Sequence, residues 1–332
     1  MELLYSLLRV ALETESPAPR HFPSLDKSGW ESLLAASDRQ TVTGLVTDAI
    51  TRLGGLDIPE AICDKLMVRQ IHIERRSCAV QQQANQFTAA LRAEGLSPQV
   101  LKGPSVAAYY PRPEVRVSGD IDLYLPPEQI PAAVAFLEKQ GLVAHKTPDD
   151  CFFFPCKPAD IDLHGNYYDL RRPAERLLPV PSAQAELLML SAHIFKHAIG
   201  PGVGLRQLCD MAMAFRALEG KYDPAALEKA FDLVGLERWN RLLCAFLKER
   251  LGVETPLYKD KNPVDISPLE KIVWRGGDFG HHTAMRKKAL QRRPFQRKLD
   301  TARLMLQRMP FGLRYGAHEY LAYLWALARG NT

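Results

Sequence analysis

The chain has 332 residues, enough for about two domains with a sizeable core. Its 46% apolar and 24% charged residues are typical of a globular protein, and its net charge of +5 favours anionic ligands without requiring nucleic acid. No apolar run reaches the roughly 18 residues of a membrane span, and no basic secretory leader opens the chain, so the sequence predicts a cytoplasmic protein. The six cysteines are scattered without a CxxC pair, which predicts reduced thiols and not a zinc knuckle.

The pattern of apolar residues divides the chain into three predicted domains, at 1–97, 98–180 and 181–332. Residues 1–97 have a helical period, with a long helical stretch at 58–96. In 98–180, short strands are predicted at 99–101, 121–125, 151–154 and 159–163. The first turns of one helix are predicted at 106–110, and a second helix is predicted to span 128–140. The helical period returns in 181–332, with helices predicted at 182–198, 205–218, 224–234, 238–251 and 311–328. The predicted fold class is α+β, a small mixed-sheet core flanked by two helical regions.

Two aspartates stand out in the predicted strand at 121–125. Because side chains alternate along a strand, Asp120 and Asp122 share one face while Ile121 and Leu123 point into a core. Two half-buried carboxylates on one face repel each other unless a cation lies between them. The pattern therefore predicts a divalent metal site, and Mg²⁺ is the hard cation that carboxylates suit best.

A further carboxylate is predicted from the strand at 159–163. Asp160, Asp162 and His164 share one face of this strand. If it pairs beside the Asp122 strand, Asp162 completes a cluster that can hold two Mg²⁺ ions roughly 3.5 to 4 Å apart, with Mn²⁺ as the alternative ion. Asp160 is the competing candidate, and Asp162 is favoured because apolar residues flank it on both sides.

The turn at 102–105 supplies a candidate phosphate site ahead of the acidic strand. Gly103 lets the backbone approach a triphosphate, and the helix that follows presents its amides to the phosphates. The predicted nucleotide-binding residues are Lys102, Gly103, Ser105, Arg116, Ser118 and Gly119. Among them, the cationic side chains of Lys102 and Arg116 would neutralise phosphate charge.

These motifs resemble the DNA polymerase beta-like nucleotidyltransferase superfamily. The Leu-Lys-Gly turn at 101–103, Gly-Asp-Ile-Asp-Leu at 119–123 and Asp-Leu-His at 162–164 are similar to the bacterial uncharacterised nucleotidyltransferase family, over about residues 98–280. The resemblance implies a Mg²⁺-dependent enzyme that transfers a nucleoside monophosphate from an NTP to a hydroxyl-bearing acceptor and releases pyrophosphate. It implies Asp120, Asp122 and Asp162 as catalytic metal ligands. Pro104 departs from the superfamily pattern, which puts a direct role of the Ser105 hydroxyl in doubt.

Further polar residues are predicted to line the cleft, namely His164, His193, Lys196, His197 and Arg206. His193 and His197 lie one helical turn apart, a zinc-compatible spacing, but no HExxH glutamate accompanies them. His164 is interpreted as a core residue or a neighbour of a ligand. Arg206 and Asp210 are spaced for an intrahelical pair.

The segment 286–298 is basic and contains no acidic residue. A solvated helix face explains most such runs, while an anionic membrane surface and a nucleic acid are the two alternative partners. Two alternative functions follow for the whole chain: a catalytically silent nucleotide-binding regulatory module, and a nucleic-acid-binding protein. The sequence leaves three properties open. These are the acceptor (protein, sugar, antibiotic or nucleic acid), the NTP used and the oligomeric state.

Overall fold

The computed structural model describes residues 1–16, 22–147, 151–170, 178–258, 263–277 and 294–329. Its α-helices span Glu2–Ala11 (α1), Lys27–Arg39 (α2), Thr43–Leu53 (α3), Glu60–Ala93 (α4), Pro104–Ala107 (α5), Ile130–Lys139 (α6), Ala183–Ile199 (α7), Leu205–Ala217 (α8), Pro224–Leu233 (α9), Glu237–Leu251 (α10), Ser267–Gly276 (α11), Pro294–Gln307 (α12) and Met309–Arg329 (α13). The strands span Gln99–Val100 (β1), Ile121–Tyr124 (β2), His145–Lys146 (β3), Phe152–Phe154 (β4) and Ile161–His164 (β5). A small sheet therefore lies between two sets of helices, which confirms the predicted α+β class.

The sheet has the order β1-β2-β5-β4-β3, and only its central pair, β2 and β5, is parallel among the described strands. Ile121 and Leu123 of β2 are fully buried, as are Ile161 and Leu163 of β5. These side chains form one core with the inner faces of α6 and the second half of α4. Because faces alternate along a strand, the intervening residues of β2 and β5 turn to the opposite face of the sheet.

A second, larger core joins the two ends of the chain. The Tyr5 ring of α1 packs edge-on against Phe246 of α10 and Trp274 of α11, and the Trp274 indole donates a hydrogen bond to the Tyr5 hydroxyl at 3.1 Å. Helix α4 spans both cores, with Ile62 in the large one and Val80 in the sheet core. The predicted boundaries near 97 and 180 fall between elements, and the division into three domains stays a prediction.

Several elements differ from those predicted. The helix predicted over 106–110 is a single turn, α5, because Pro111 disfavours the helical conformation at the residue before it. Helix α6 begins at Ile130, two residues later than predicted, after a 3₁₀ turn at Pro127–Gln129. The sequence pattern does not predict β3, α11 or α12. Within the described residues, no helix combines the length and the apolar character that crossing a membrane requires.

Candidate active site

A cleft of about 630 Å³ lies between the polar face of the sheet and helices α7 and α8. Its lining contains the predicted residues Lys102, Gly103, Arg116, Ser118, Gly119, Asp120, Asp122, Asp162, His164, His193, Lys196, His197 and Arg206. Of the predicted site residues, all of which the structure describes, only Ser105 lies outside the lining. Its hydroxyl donates to the Lys102 carbonyl oxygen at 3.5 Å, within its own turn.

The floor of the cleft is formed by two aspartates in register. Asp122 of β2 pairs directly with Asp162 of β5, as the parallel alignment of the two strands requires. Asp120 lies just before β2 and is exposed at the rim. Asp160 turns elsewhere, because its Oδ1 accepts a hydrogen bond from the Cys156 amide at 3.0 Å. The geometry therefore favours Asp162 over Asp160 as the partner of Asp122.

The two central carboxylates have different electrostatic environments. Asp122 is 8% exposed, and although burial opposes its ionisation, the Lys102 ammonium and His164 lower its pKa. Burial, followed by repulsion from Asp122 and Asp120, raises the pKa of Asp162 to about 6. Asp122 is thus a compensated anion, whereas Asp162 carries a negative charge that its surroundings oppose.

His164 lies beside Asp122 and holds its orientation. The ring Nε2 is 2.9 Å from Asp122 Oδ1, and Nδ1 is 3.2 Å from the Cys151 sulfur. Burial opposes protonation of this ring, but its hydrogen bonds to Asp122 and Cys151 prevail and raise the pKa of His164 to about 10. In this state the ring donates to Asp122 through Nε2.

A buried polar cluster faces the carboxylates from the other wall of the cleft. Lys102 Nζ lies 3.1 Å from Asp122 Oδ1 and 3.2 Å from His193 Nδ1. The same His193 nitrogen is 2.6 Å from Asp169 Oδ2, and Lys196 Nζ donates to Asp169 Oδ1 at 2.8 Å. Burial opposes the charge on Asp169, yet Lys196 and His193 lower its pKa well below the ordinary value. Asp169 therefore anchors two cleft residues of α7.

The two histidines of α7 belong to this cluster, and neither is in the group of candidate metal ligands found among the described residues. The Nε2 atoms of His193 and His197 lie 3.1 Å apart, so one ring donates to the other. Burial and the neighbouring Lys102 charge lower the pKa of His193, and burial and His193 lower that of His197. Both rings are therefore neutral hydrogen-bonding groups.

Arg116 is held by a buried bidentate ion pair. Its Nε donates to Asp210 Oδ1 at 2.8 Å and its Nη2 to Oδ2 at 2.7 Å, while the Tyr110 hydroxyl donates to Oδ1 at 2.7 Å. Arg116 is 3% exposed. Asp210 thus binds Arg116 in this geometry. Arg206, the intrahelical partner predicted for Asp210, also lowers the pKa of Asp210 through its charge and donates to the Val117 carbonyl oxygen at 3.1 Å. The pair joins the loop before β2 to helix α8.

Hydrogen bonds to its carbonyl oxygens hold the loop at 117–119 in place. Val117 accepts from Arg116 as well as Arg206, and Ser118 accepts from Nε of Arg76 on α4 at 3.3 Å. Because these carbonyl oxygens are engaged by cations from two helices, the backbone that leads into Asp120 is fixed before any ligand arrives.

Comparison with known proteins identifies the family of the chain. A family model described as uncharacterised nucleotidyltransferase matches residues 26–252, about two thirds of the chain. The chain belongs to this family. It has no match among curated proteins and none among solved structures. Membership in the nucleotidyltransferase family supports nucleotidyl transfer as the class of reaction.

The matched range differs from the range of the motif resemblance. It begins at residue 26, so α2, α3 and α4 belong to the nucleotidyltransferase unit although the motifs begin near residue 98. It ends at residue 252, so the last part of the resemblance, 253–280, lies beyond it, and 278–280 lie outside the described residues. Of the basic segment, 286–293 lie outside the described residues as well.

The donor set of this nucleotidyltransferase suits a divalent cation. The candidate ligand atoms of Asp122, Asp162 and His164 all lie within 4.8 Å of one another. A cation between the aspartates would relieve the repulsion that raises the pKa of Asp162. The carboxylates are the hard donors, whereas a protonated His164 serves better as the group that orients Asp122.

Two polar residues that hold parts of the cleft, Asp169 and Arg76, are not predicted from the sequence motifs. Asp169 follows β5 in the sequence Tyr-Tyr-Asp-Leu at 167–170, and a lone acidic residue shortly after an acidic strand is the only signal for it. Arg76 has no local signal, because it reaches the cleft loop from the middle of a 34-residue helix.

A substitution at Gly103 tests how closely the turn at 102–105 packs against Asp120. The φ of Gly103 is +61°, and an added Cβ would lie 3.3 Å from the Asp120 carbonyl oxygen. We expect Gly103→Ala to lower the free energy of unfolding by about 1–3 kcal/mol in urea denaturation. Gly141→Ala is the matched control, with φ of +86° but no neighbour within 4 Å, and should cost about 1 kcal/mol. A cost at Gly103 no larger than at Gly141 would contradict close packing of this turn against Asp120.

Proposed function

We propose that this protein is a Mg²⁺-dependent enzyme that transfers a nucleoside monophosphate from an NTP to a hydroxyl-bearing acceptor, with release of pyrophosphate. The observation that carries the proposal is the in-register pair Asp122 and Asp162 on the floor of the cleft. Family membership supports the reaction class, and the pair supports the use of metal.

Asp120, Asp122 and Asp162 are proposed to hold Mg²⁺, with two ions for the complete site and Mn²⁺ as the alternative. When bound, the metal supplies charge neutralisation for the phosphates and for the leaving pyrophosphate. The protein contributes the opposed carboxylates and the His164 hydrogen bond that fixes Asp122.

Asp162 is the proposed acceptor-side base. It is half-buried in the cleft beside Asp122, whereas Asp122 is engaged by Lys102 and His164, so Asp162 is the central carboxylate better placed to take a proton from a hydroxyl. Asp122 differs, because Lys102 and His164 hold it ionised. The two carboxylates are therefore proposed to divide the work: Asp122 keeps a fixed charge, and Asp162 takes the proton.

The triphosphate is proposed to lie along Gly103, Ser118 and Gly119, with Lys102 and Lys196 as its cations. Lys102 already lies at the carboxylates and is the cation best placed to bridge them to a phosphate. Arg116 was predicted to neutralise phosphate, but its guanidinium is committed to Asp210. We propose instead that Arg116 holds the loop on which the nucleotide rests.

Transfer of label from NTPs tests the proposed function. The protein is incubated with a lysate fraction and NTPs labelled at the α-phosphate or at the γ-phosphate, with Mg²⁺ or with EDTA. We expect Mg²⁺-dependent incorporation of the α-label only, with the γ-label recovered as pyrophosphate. A protein carrying Asp122→Asn controls for enzymes of the lysate.

The same experiment distinguishes the alternatives. Incorporation of the γ-label would show phosphoryl transfer and contradict the proposal. Retention of NTP on the protein without pyrophosphate release, at equal levels in wild type and variant, would favour a nucleotide-binding module.

A further inference from the structure

The last helix, α13, has two chemically different faces. After its kink at Gly316, one face packs on α7 and α10 and buries Glu319, Tyr320 and Tyr323. The opposite face exposes Leu321 and Trp325, at 54% and 62%, one helical turn apart. Large apolar side chains adjacent on a helix and exposed to this extent indicate a surface for a partner.

Cations accompany these apolar side chains. The guanidinium of Arg329 lies 4.6 Å from the centroid of the Trp325 ring, and Arg303 and Arg314 are exposed nearby in the sequence. The segment 286–332 contains eleven lysines and arginines and two acidic residues, so its net charge is +9 while the rest of the chain is net negative. Glu319, the only acidic residue in 301–329, is buried.

The geometry points to the exposed face of α13, defined by Leu321, Trp325 and Arg329, as a docking surface for an anionic phospholipid bilayer. An interfacial helix combines an apolar face with cationic residues, and a tryptophan beside an arginine suits the level of the headgroups. Each arginine near an anionic surface adds electrostatic attraction. The protein would lie on the membrane and not cross it.

The alternative partners fit this surface less well. Single-stranded nucleic acid needs aromatic side chains on which bases stack. Among the side chains that the structure describes in this segment, Tyr315, Tyr320 and Tyr323 are buried and Phe311 packs against Trp239, which leaves Trp325 as the exposed aromatic residue. A second copy of the chain would bring two segments of the same positive charge together in a symmetric contact. An anionic bilayer satisfies both the apolar and the cationic side chains.

The docking surface is connected to the cleft through the same helix. The Tyr323 hydroxyl, on the buried face of α13, donates a hydrogen bond to the carbonyl oxygen of Asp169. Asp169 holds Lys196 and His193 in the cleft. Docking through α13 would therefore hold the cleft at a fixed orientation above the bilayer, whatever the acceptor.

Vesicle flotation with the full-length protein tests this inference independently of the proposed function. We expect binding to vesicles of phosphatidylcholine mixed with phosphatidylglycerol, weak binding to phosphatidylcholine alone, and loss of binding as salt is raised. The variant Leu321→Glu/Trp325→Glu should weaken binding by about tenfold or more, and Arg329→Gln by about fivefold.

Met67→Glu is the matched control, because Met67 is also 62% exposed but lies on α4. It should bind vesicles like the wild type. Thermal unfolding of each variant shows that a loss of binding does not come from unfolding. Equal binding of wild type and the α13 double variant to anionic vesicles, or no binding at low salt, would overturn the inference. Two further results would overturn it in the absence of vesicle binding. One is binding to RNA that the double variant abolishes, and the other is self-association in sedimentation velocity that the double variant abolishes.

Discussion

Replacing Asp162 with asparagine is expected to lower the rate of nucleotidyl transfer by about 10²- to 10³-fold. The amide keeps the size of the side chain but cannot take a proton and binds a cation poorly. Pyrophosphate release per enzyme under saturating Mg²⁺ and NTP is the measurement. Asp122→Asn should have an effect of similar size, and the double variant should lose little more than either single variant, because the two carboxylates act as one unit.

The stability of the Asp162 variant separates a catalytic effect from a folding effect. Without divalent cations, Asp162→Asn removes a charge that burial and repulsion from Asp122 and Asp120 oppose, so the variant should be at least as stable as the wild type near neutral pH. The pKa of Asp162 is about 6 in the folded protein against an ordinary 3.8, so the cost of this charge is present above about pH 6 and fades as the pH falls toward 3.8. The stability advantage of the variant in urea unfolding should shrink over this range.

Asp160→Asn is the matched control for activity. Asp160 is two residues away, but its side chain accepts from the Cys156 amide and does not face Asp122. The variant should retain activity and lose about 1 kcal/mol of stability through the weakened hydrogen bond. If the Asp160 variant lost activity while the Asp162 variant stayed active, the assignment of Asp162 as the third site carboxylate would be wrong.

Replacing Asp210 with asparagine is expected to destabilise the protein by about 3–5 kcal/mol, because it breaks a buried ion pair and leaves a charged guanidinium without its partner. Arg116 is 3% exposed and donates to both oxygens of this carboxylate. The free energy of unfolding from urea denaturation is the measurement. Replacing both partners by apolar residues, Arg116→Met/Asp210→Leu, should recover part of the loss, since the Arg116 guanidinium is then no longer buried without its carboxylate.

An exposed ion pair provides the control for this prediction. Lys248 and Glu254 lie 2.8 Å apart but are 64% and 75% exposed, so Glu254→Gln should cost at most about 1 kcal/mol. A cost below about 1 kcal/mol for Asp210→Asn as well would contradict the role of Asp210 in holding the loop before β2.

The sequence predicts the acidic floor of the cleft better than its opposite wall. Asp122 and Asp162 could be placed on one face because strand alternation is a local property, and their pairing in register follows from two short strands of equal apolar pattern. The roles of Lys102 and Arg116 could not be separated in this way. Both are cations near a glycine turn, but Lys102 reaches Asp122, whereas Arg116 is bound by Asp210, 94 residues away.

The wall of the cleft depends on contacts between distant parts of the chain. Asp169 joins His193 and Lys196 from 24 and 27 residues before them, and Arg76 reaches Ser118 from α4. The packing of α1 with α10 and α11 in one core likewise has no local signal. An apolar helix face predicts that the face is buried, but it does not predict which helix packs against it.

By itself, the sequence of this nucleotidyltransferase determined the α+β class, the acidic strand pair and the reaction class that its motifs resemble. These properties depend on local periodicity and on the chemistry of neighbouring side chains. Only the tertiary structure decided that Asp162 and not Asp160 faces Asp122, that Arg116 is bound to Asp210, and that Leu321 and Trp325 stay exposed on α13. Each of these outcomes depends on which residues from distant parts of the chain pack together. The free energies of burial and of charge pairing that decide the outcome arise only in the folded chain.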